Sequence, residues 1–547
     1  MRRRPPTTRT FSFSISARSR GGPTMQGDGS QWEVSDQTRL CRFLCYGSDQ
    51  MTYATRDQAG PGMERVGSLL SMLQEGQGVL VVETIQKFAQ EGQAVRVEPC
   101  IFALALCSQH SELKTRQAAF KALKEVCPRP AHLFSFIQYK KELKEDMKCG
   151  MWGRALRKAV SDWYSKQDAL GLAAAVSTCK QRQGWSHQDL LRLSHTKPAD
   201  EAIALICQYV TKEWKDVQVA YADRDNSDEV SKVLSYLEVV EKARHSCDET
   251  EVITLIEEHN LEREQLLTDH LKSKSVWRAL LKEMPLQSAL KILGKMTFKK
   301  VLQPGSSETE ALCERIRSEA ALKKAKVHPF SIQLAAENYK RGQGYEGKSK
   351  WEADADILKA LDFAFYKSFF NVERVGKRFI VAVDVSTSLT SMVPGTSVST
   401  AVAAALVAMV FARTEKGTRV LAYSEGALKP CAVSADMTLA QMTDNLIKIP
   451  GKSTDCTLPI TWAIKKGTPA DVFIILTNNA LSPHSANPVA TLKKHREKLR
   501  CQSKLVICGL TSGGGTLGDP GDKGVLNISG FDLGAFTVIR NFANNLV

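Results

Sequence analysis

Residues 378–388 read RFIVAVDVSTS. From Phe379 to Val385 the run is apolar and β-branched, broken only by Asp384, and that carboxylate is followed by the hydroxyls of Ser386, Thr387 and Ser388. A short continuous apolar run of this kind is the pattern of a strand buried on both faces. Three similar runs follow: TRVLAY at 418–423, DVFIILTN at 471–478 and SKLVICGL at 503–510. Between and after them the spacing predicts helices at Val398–Arg413, Leu439–Ile449, Leu458–Lys466, Val489–Leu499 and Gly534–Leu546. Buried strands alternating with helices imply a parallel sheet covered on both sides, and such sheets present their ligands at the carboxyl ends of the strands. Asp384, Ser386 and Ser388 leave the first strand at that edge. The loop Gly451–Asp455 offers Thr454 and Asp455 to it, and the strand at 471–478 delivers Thr477 and Asn478. Oxygen donors of this sort suit Mg²⁺, while the same side chains would also serve to cap a helix and satisfy loop amides.

The DxSxS at the end of a strand resembles the metal-ion-dependent adhesion site of von Willebrand type A domains. The resemblance covers about 170 residues and implies Asp384, Ser386, Ser388 and Thr454 as ligands of a divalent cation, Mg²⁺. Where that family usually carries an acid after its fourth strand this chain has Asn478, which removes one negative charge.

Upstream, from Trp32 to Phe369, the pattern is helical throughout. PCIFALALCSQ, TRQAAFKALKEVC, HLFSFIQYKKELKEDM and VWRALLKEM place apolar residues at i, i+3, i+4 and i+7. Breakers at Pro128, Pro130, Gly150, Gly184, Pro198, Pro285 and Pro304-Gly305 cut the run into short helices. Stacked helix pairs of degenerate sequence, as in HEAT repeats, bury such stripes against one another. A chain of 547 residues exceeds a single core. Three segments are expected: a basic disordered extension over 1–31, a helical-repeat domain over 32–370 and an α/β domain over 371–547. The extension is Arg- and Ser-rich without an apolar core segment, and Pro5 and Pro6 oppose an amphipathic targeting helix.

The net charge of +15 favours an anionic partner, and its distribution says where. Residues 113–182 hold 15 Lys/Arg against 6 Asp/Glu, whereas the remainder of the middle region is net acidic. The segment KKELKEDMKCGMWGRALRKAVSDWY, then CKQRQGWSHQDLLRLSHTKP, interleaves bases with Trp152, Trp163, Tyr164 and Trp185. Lys and Arg neutralise phosphates and aromatic planes stack on unpaired bases. The ordinary alternative is solvated basic faces over core tryptophans. His195 could link two helices by a hydrogen bond, and His187 would cap a helix.

KCGMWGRALRKAVSDWY, GWSHQDLLRLSHTKP, VHPF at 327–330 and the DxSxS module together resemble the Ro ribonucleoprotein family, in which a TROVE domain precedes a von Willebrand type A domain. The match runs over roughly residues 30–547. It implies a ring of HEAT-like helical repeats closed by the type A module. It also implies binding of small noncoding Y RNAs on a basic outer surface, entry of single-stranded 3′ ends of misfolded RNAs into a central hole, and a role in RNA quality control. The charge map and the resemblance together nominate Lys140, Lys141, Lys144, Lys148, Arg154, Arg157, Lys158, Lys180, Arg182 and His195 as the RNA-binding set. Thr178 stands where some relatives are basic.

The rival class is a metal-dependent protein-binding adhesion module on a helical scaffold, which would recruit protein partners through the type A domain. Enzymatic activity is not expected. Asp384 and Asp455 are too few for a two-metal site, and no GxxxxGK[ST] loop exists. No apolar run reaches 18 residues, so no membrane span is expected. Fourteen cysteines scattered without a CxxC pair fit a reducing compartment. A monomer in the cytoplasm, with a nuclear pool allowed, completes the expectation.

Overall fold

The computed structural model describes residues 32–55, 60–144, 151–222, 224–344, 347–385, 391–424, 427–429, 434–449, 455–477, 487–511 and 521–547. The strands in chain order are β1 (Thr52–Ala54), β2 (Gln181–Arg182), β3 (Trp185–Ser186), β4 (Phe379–Asp384), β5 (Arg419–Ser424), β6 (Ala427–Lys429), β7 (Val472–Thr477), β8 (Lys504–Gly509) and β9 (Val525–Ser529).

Seven strands form one sheet in the order β1-β9-β8-β7-β4-β5-β6, parallel except for the edge strand β6. The apolar run that begins at Phe379 supplies an interior strand. β4 pairs with β5 on one side and β7 on the other, and all six of its residues are buried. Alternation sends Phe379, Val381 and Val383 to one face and Ile380 and Ala382 to the other, as the two-residue period of a strand requires. The second set packs with Ile460, Ala463 and Leu492 of the helices Leu458–Lys466 and Pro488–Leu499. The first set joins a core that is continuous with the helical domain. One face of the sheet is therefore buried by its own helices and the other shares the large core.

Residues 36–367 form short helices that pack mainly on near neighbours in the chain. Side-chain caps start many of them: Ser35, Asp168, Asp200, Ser227, Asp248, Ser273, Ser306, Ser318 and Asp354 each accept a first-turn amide. Pro130 and Pro329 sit in first helical turns, where a missing N–H has no consequence. The expectation of an all-helical stretch is corrected at two places. Residues 181–186 form the hairpin β2–β3. Residues 52–54 leave the helical domain to pair parallel with β9, where Thr52, Tyr53 and Ala54 face Asn527, Ile528 and Ser529. A three-residue strand carries almost no signal of its own. It exists because β9 would otherwise present an open ladder edge.

Both ends of the helical series reach the sheet domain, and its last helix, Leu533–Ala543, meets both. From the first end, the Tyr53 hydroxyl donates to both oxygens of Asp532 (2.9 Å each), and Asn541 Nδ2 donates to the Gln93 carbonyl (2.7 Å). From the last, Phe330 packs edge-on to Phe531 and against Phe536, with His328 beside the Phe536 ring. Arg341 also donates to Ser397 Oγ (3.3 Å). The circuit of helices is thus closed through the α/β domain.

Candidate nucleic-acid interface

The basic stretch is carried by four adjoining pieces: the helices Pro130–Glu142, Arg154–Ser165 and His187–Ser194, and the hairpin β2–β3. Gln183 and Gly184 turn the hairpin with positive φ (53° and 78°), which a two-residue turn between antiparallel strands needs and glycine takes without strain. This turn holds Arg182 outward against the helix Pro130–Glu142. Trp185 anchors it there: its indole N–H donates to Gln138 Oε1 (3.0 Å), and Lys141 Nζ lies 5.8 Å from its ring centre. Trp152 meets Trp185 edge-on at 6.4 Å, which brings the start of the helix Arg154–Ser165 to the same place. On that helix Arg154, Arg157 and Lys158 share an exposed face, while Leu156, Val160 and Trp163 are buried.

Lys141, Arg154, Arg157, Lys158, Lys180, Arg182 and His195 are all exposed, and Lys144 is half-buried. Among the described residues, the only ion pair formed by these eight is Lys158 with Asp162 (3.7 Å), one helical turn on. Partial burial of the Lys180 amine holds it below its ordinary pKa, with Arg244 adding to the effect. Lys148 lies outside the described residues.

Lys140 corrects the expectation of a fully exposed set. It is 6% exposed and donates to Ser108 Oγ (3.1 Å) and the Ser108 carbonyl (3.4 Å). Burial, helped by Arg116, pushes its pKa down to about 8. It follows Leu133 by seven residues and Phe136 by four, the spacing of the buried stripe, so the sequence did carry a signal of its direction. Between pH 8 and the ordinary lysine range near 10.5 the unfolded chain binds more protons than the folded one, so this group makes stability rise with pH across that window. Lys140→Met should remove that part of the rise, read as the difference between wild type and variant in urea unfolding at pH 8 and pH 10. It should leave RNA affinity unchanged.

The aromatic residues divide. Trp163 and Tyr164 are core: the Trp163 indole donates to the Cys127 carbonyl (2.7 Å) and the Tyr164 hydroxyl meets His187 Nδ1 (2.7 Å). Trp152 and Trp185 stay half-buried beside the basic face. His187 does not cap its helix. Ser186 does, in a capping box with Asp189, and His187 is buried, with its pKa lowered to about 4 by burial. His195 ends the same helix in the left-handed region (φ 54°) and is exposed.

Arg129 belongs to the same surface, although its place between two prolines gives it the sequence signature of a linker residue. It is exposed, and its guanidinium contacts His132 Nε2 (2.6 Å). Burial, with Arg129 second and Arg182 also contributing, lowers the His132 pKa to about 4. Arg129 and Arg182 thus both act on His132.

At the carboxyl edge of the sheet, Asp384 ends β4 and Thr477 ends β7. The Thr477 hydroxyl donates to Asp384 Oδ2 (2.8 Å), and the Asp384 side chain is buried. Asp455 accepts from the Thr457 amide (2.9 Å) and hydroxyl (2.7 Å). Both carboxylates act on the buried Tyr423 hydroxyl, whose pKa is driven upward by burial, then by Cys456, with Asp384 and Asp455 adding to the effect. Ser386, Ser388, Thr454 and Asn478 lie outside the described residues. Among those described, no group of three or more His, Cys, Asp or Glu side chains converges as metal ligands.

Comparison with known proteins bears on the same surfaces. The family model of the TROVE domain matches residues 25–338, and that of the Ro60 vWA domain matches residues 378–543. The RNA-binding protein RO60 of Caenorhabditis elegans is 28% identical over 95% of this chain and 89% of its own length. The RNA-binding protein RO60 of Deinococcus radiodurans is 29% identical over 95% of this chain and 94% of its own. The crystal structure of the Deinococcus radiodurans RO (RSR) protein superposes with a TM-score of 0.83 at 28% identity, covering 94% of this chain and all of that one. The helical circuit, the sheet that closes it and the two family matches agree: this chain belongs to the Ro60 family of RNA-binding proteins.

Proposed function

We propose that this protein binds small noncoding Y RNAs on the basic outer surface around residues 129–195. We further propose that it takes single-stranded 3′ ends of misfolded noncoding RNAs within its helical circuit, as part of RNA quality control. The observation that carries the reading is the set of exposed cations on four adjoining elements, of which, among the described residues, one alone is paired with an acid. Side chains cannot read the deep major groove of an RNA duplex, so this face would recognise backbone and shape. Trp152 and Trp185 at its edge would stack on unpaired bases.

The test is titration of the purified, nuclease-treated protein with a Y-type stem–loop RNA across a salt series. Binding that falls steeply with salt is expected. Sequencing of RNA crosslinked to the protein in cells should return small structured noncoding RNAs. Affinity for RNA no greater than for a neutral polymer would end the proposal.

The all-oxygen donors at the carboxyl edge, Asp384, Thr477 and Asp455, fit a hard divalent cation, and Mg²⁺ would be held there through Asp384 with Ser386, Ser388 and Thr454. Mg²⁺ at about 100 times its Kd should then add about 2.7 kcal/mol of stability, and Asp384→Asn should abolish the gain. Thermal melting with and without a chelator measures it, and equal melting in both conditions would rule the metal out.

A further inference from the structure

At the opposite edge of the sheet, where the strands begin, a cavity of about 640 Å³ separates the first helix of the circuit from the α/β domain. Five basic side chains line it: Lys377, Arg378, Arg500, Lys504 and Lys523. The one acidic side chain in the lining, Asp471, is taken up by Arg378, whose Nη2 and Nε lie 2.6 and 3.1 Å from its oxygens. Among the described residues, neither an acidic side chain nor the terminal carboxylate lies within ion-pair distance of Lys377, Lys504 or Lys523.

Lys504 is the most telling of these. It is 7% exposed, rests over the Phe542 ring and donates one hydrogen bond to the Phe542 carbonyl. Burial pushes its pKa down to about 7, with Lys523, Lys377, Arg42 and Arg496 adding to the effect. Arg42, from the helix Asp36–Tyr46, is 2% exposed, and its Nε and Nη2 have no hydrogen-bond partner. Arg42 is not part of the cavity lining, but a buried guanidinium with two idle donors and a buried ammonium are each costly unless an anion or an equivalent set of acceptors completes them. Arg496, the other cation named, is already neutralised by Asp522.

We propose that this cavity binds a small free polyphosphate anion, one carrying two or three phosphoryl groups. Lys504, Lys523 and Lys377 would take its oxygens, and Arg500 would stand at the rim. The wall opposite the strands is formed by Trp32, Gln37, Thr38 and Cys41, from the first end of the circuit. An occupant would therefore tie that end to the sheet domain and stabilise closure. The site is at the far edge of the sheet from Asp384 and on different elements from the RNA-binding face, so it stands or falls separately from both.

The test uses the full chain in magnesium-free buffer at fixed ionic strength, with inorganic pyrophosphate as probe, read by calorimetry and by thermal melting. Saturable binding and a raised melting temperature are expected. Losing one charged hydrogen-bonding partner should weaken it about tenfold or more in Lys504→Gln and in Lys523→Gln. Lys158→Gln, on the RNA face, should leave it unchanged. Should Lys504→Gln fail to fold, Lys523→Gln and Lys377→Gln carry the test, since both side chains are partly exposed. No binding by the wild-type chain would overturn the proposal, as would unaltered binding in the lysine variants. Displacement of bound pyrophosphate by a short oligouridine would also overturn it, by assigning the cavity to RNA backbone.

Discussion

Replacing Lys141, Arg154, Arg157, Lys158, Lys180 and Arg182 together by Gln should weaken Y RNA binding by about two to three orders of magnitude near 0.1 M salt. It should also lower the slope of log affinity against log salt by about one for each phosphate that is no longer neutralised. The expectation rests on where these side chains are, not on their number. All six are exposed, on elements that Trp185 and Trp152 hold together, and among the described residues only Lys158 is paired with an acid. A control that removes Lys465, Lys466 and Lys498, exposed residues of the α/β domain, changes net charge without touching this face. If the control loses as much affinity per charge as the six-fold variant, the long-range field of the protein explains binding and the assigned surface does not.

The largest stability effect is expected at the pair Arg496–Asp522. Arg496 Nη1 lies 2.7 Å from Asp522 Oδ2 and Nη2 lies 3.3 Å from Oδ1; the two side chains are 8% and 3% exposed. The guanidinium also donates to the Ser503 carbonyl (2.9 Å) and lies 3.5 Å from the Trp32 ring centre, while Asp522 accepts the Gly524 amide (2.8 Å). Asp522→Ala leaves that guanidinium charged, buried and short of its partner, which costs about 3–5 kcal/mol. Adding Arg496→Met should restore much of the loss, because an apolar pair of similar size avoids the desolvation that the ion pair has to offset. Urea unfolding of wild type, single and double variants, followed by tryptophan emission, gives the comparison. A single variant within about 1 kcal/mol of wild type would mean that solvent reaches the pair and screens it.

Much of the α/β domain was legible because a strand buried on both faces leaves an uninterrupted apolar run. RFIVAVD and DVFIILT place β4 and β7 within a residue or two of where they lie. The helix Leu458–Lys466 has the expected bounds, and the others differ by up to three residues at an end. The strand β1 was not legible. Its three residues have no periodicity to show, and its partner lies more than 470 positions away.

At the basic face, residue type and spacing were enough to find the stretch, and not enough to sort it. Lys140 and Lys141 are neighbours in the chain and about 100° apart around a helix. One packs against Ser108 and the other lies beside Trp185, and only the position of the neighbouring elements separates them. Trp163 and Trp152 differ in the same way.

Local pattern thus indicated most of the helices and the interior strands β4, β5, β7 and β8, and the clustering of like charge along 113–182 indicated where a polyanion is expected, since both are properties of consecutive residues. Which cations reach solvent, how the two ends of the helical series come to share one terminal helix, and the unpaired cations around Lys504 were outcomes of packing. Each depends on groups far apart in the chain, and burial and electrostatics act through distance in space.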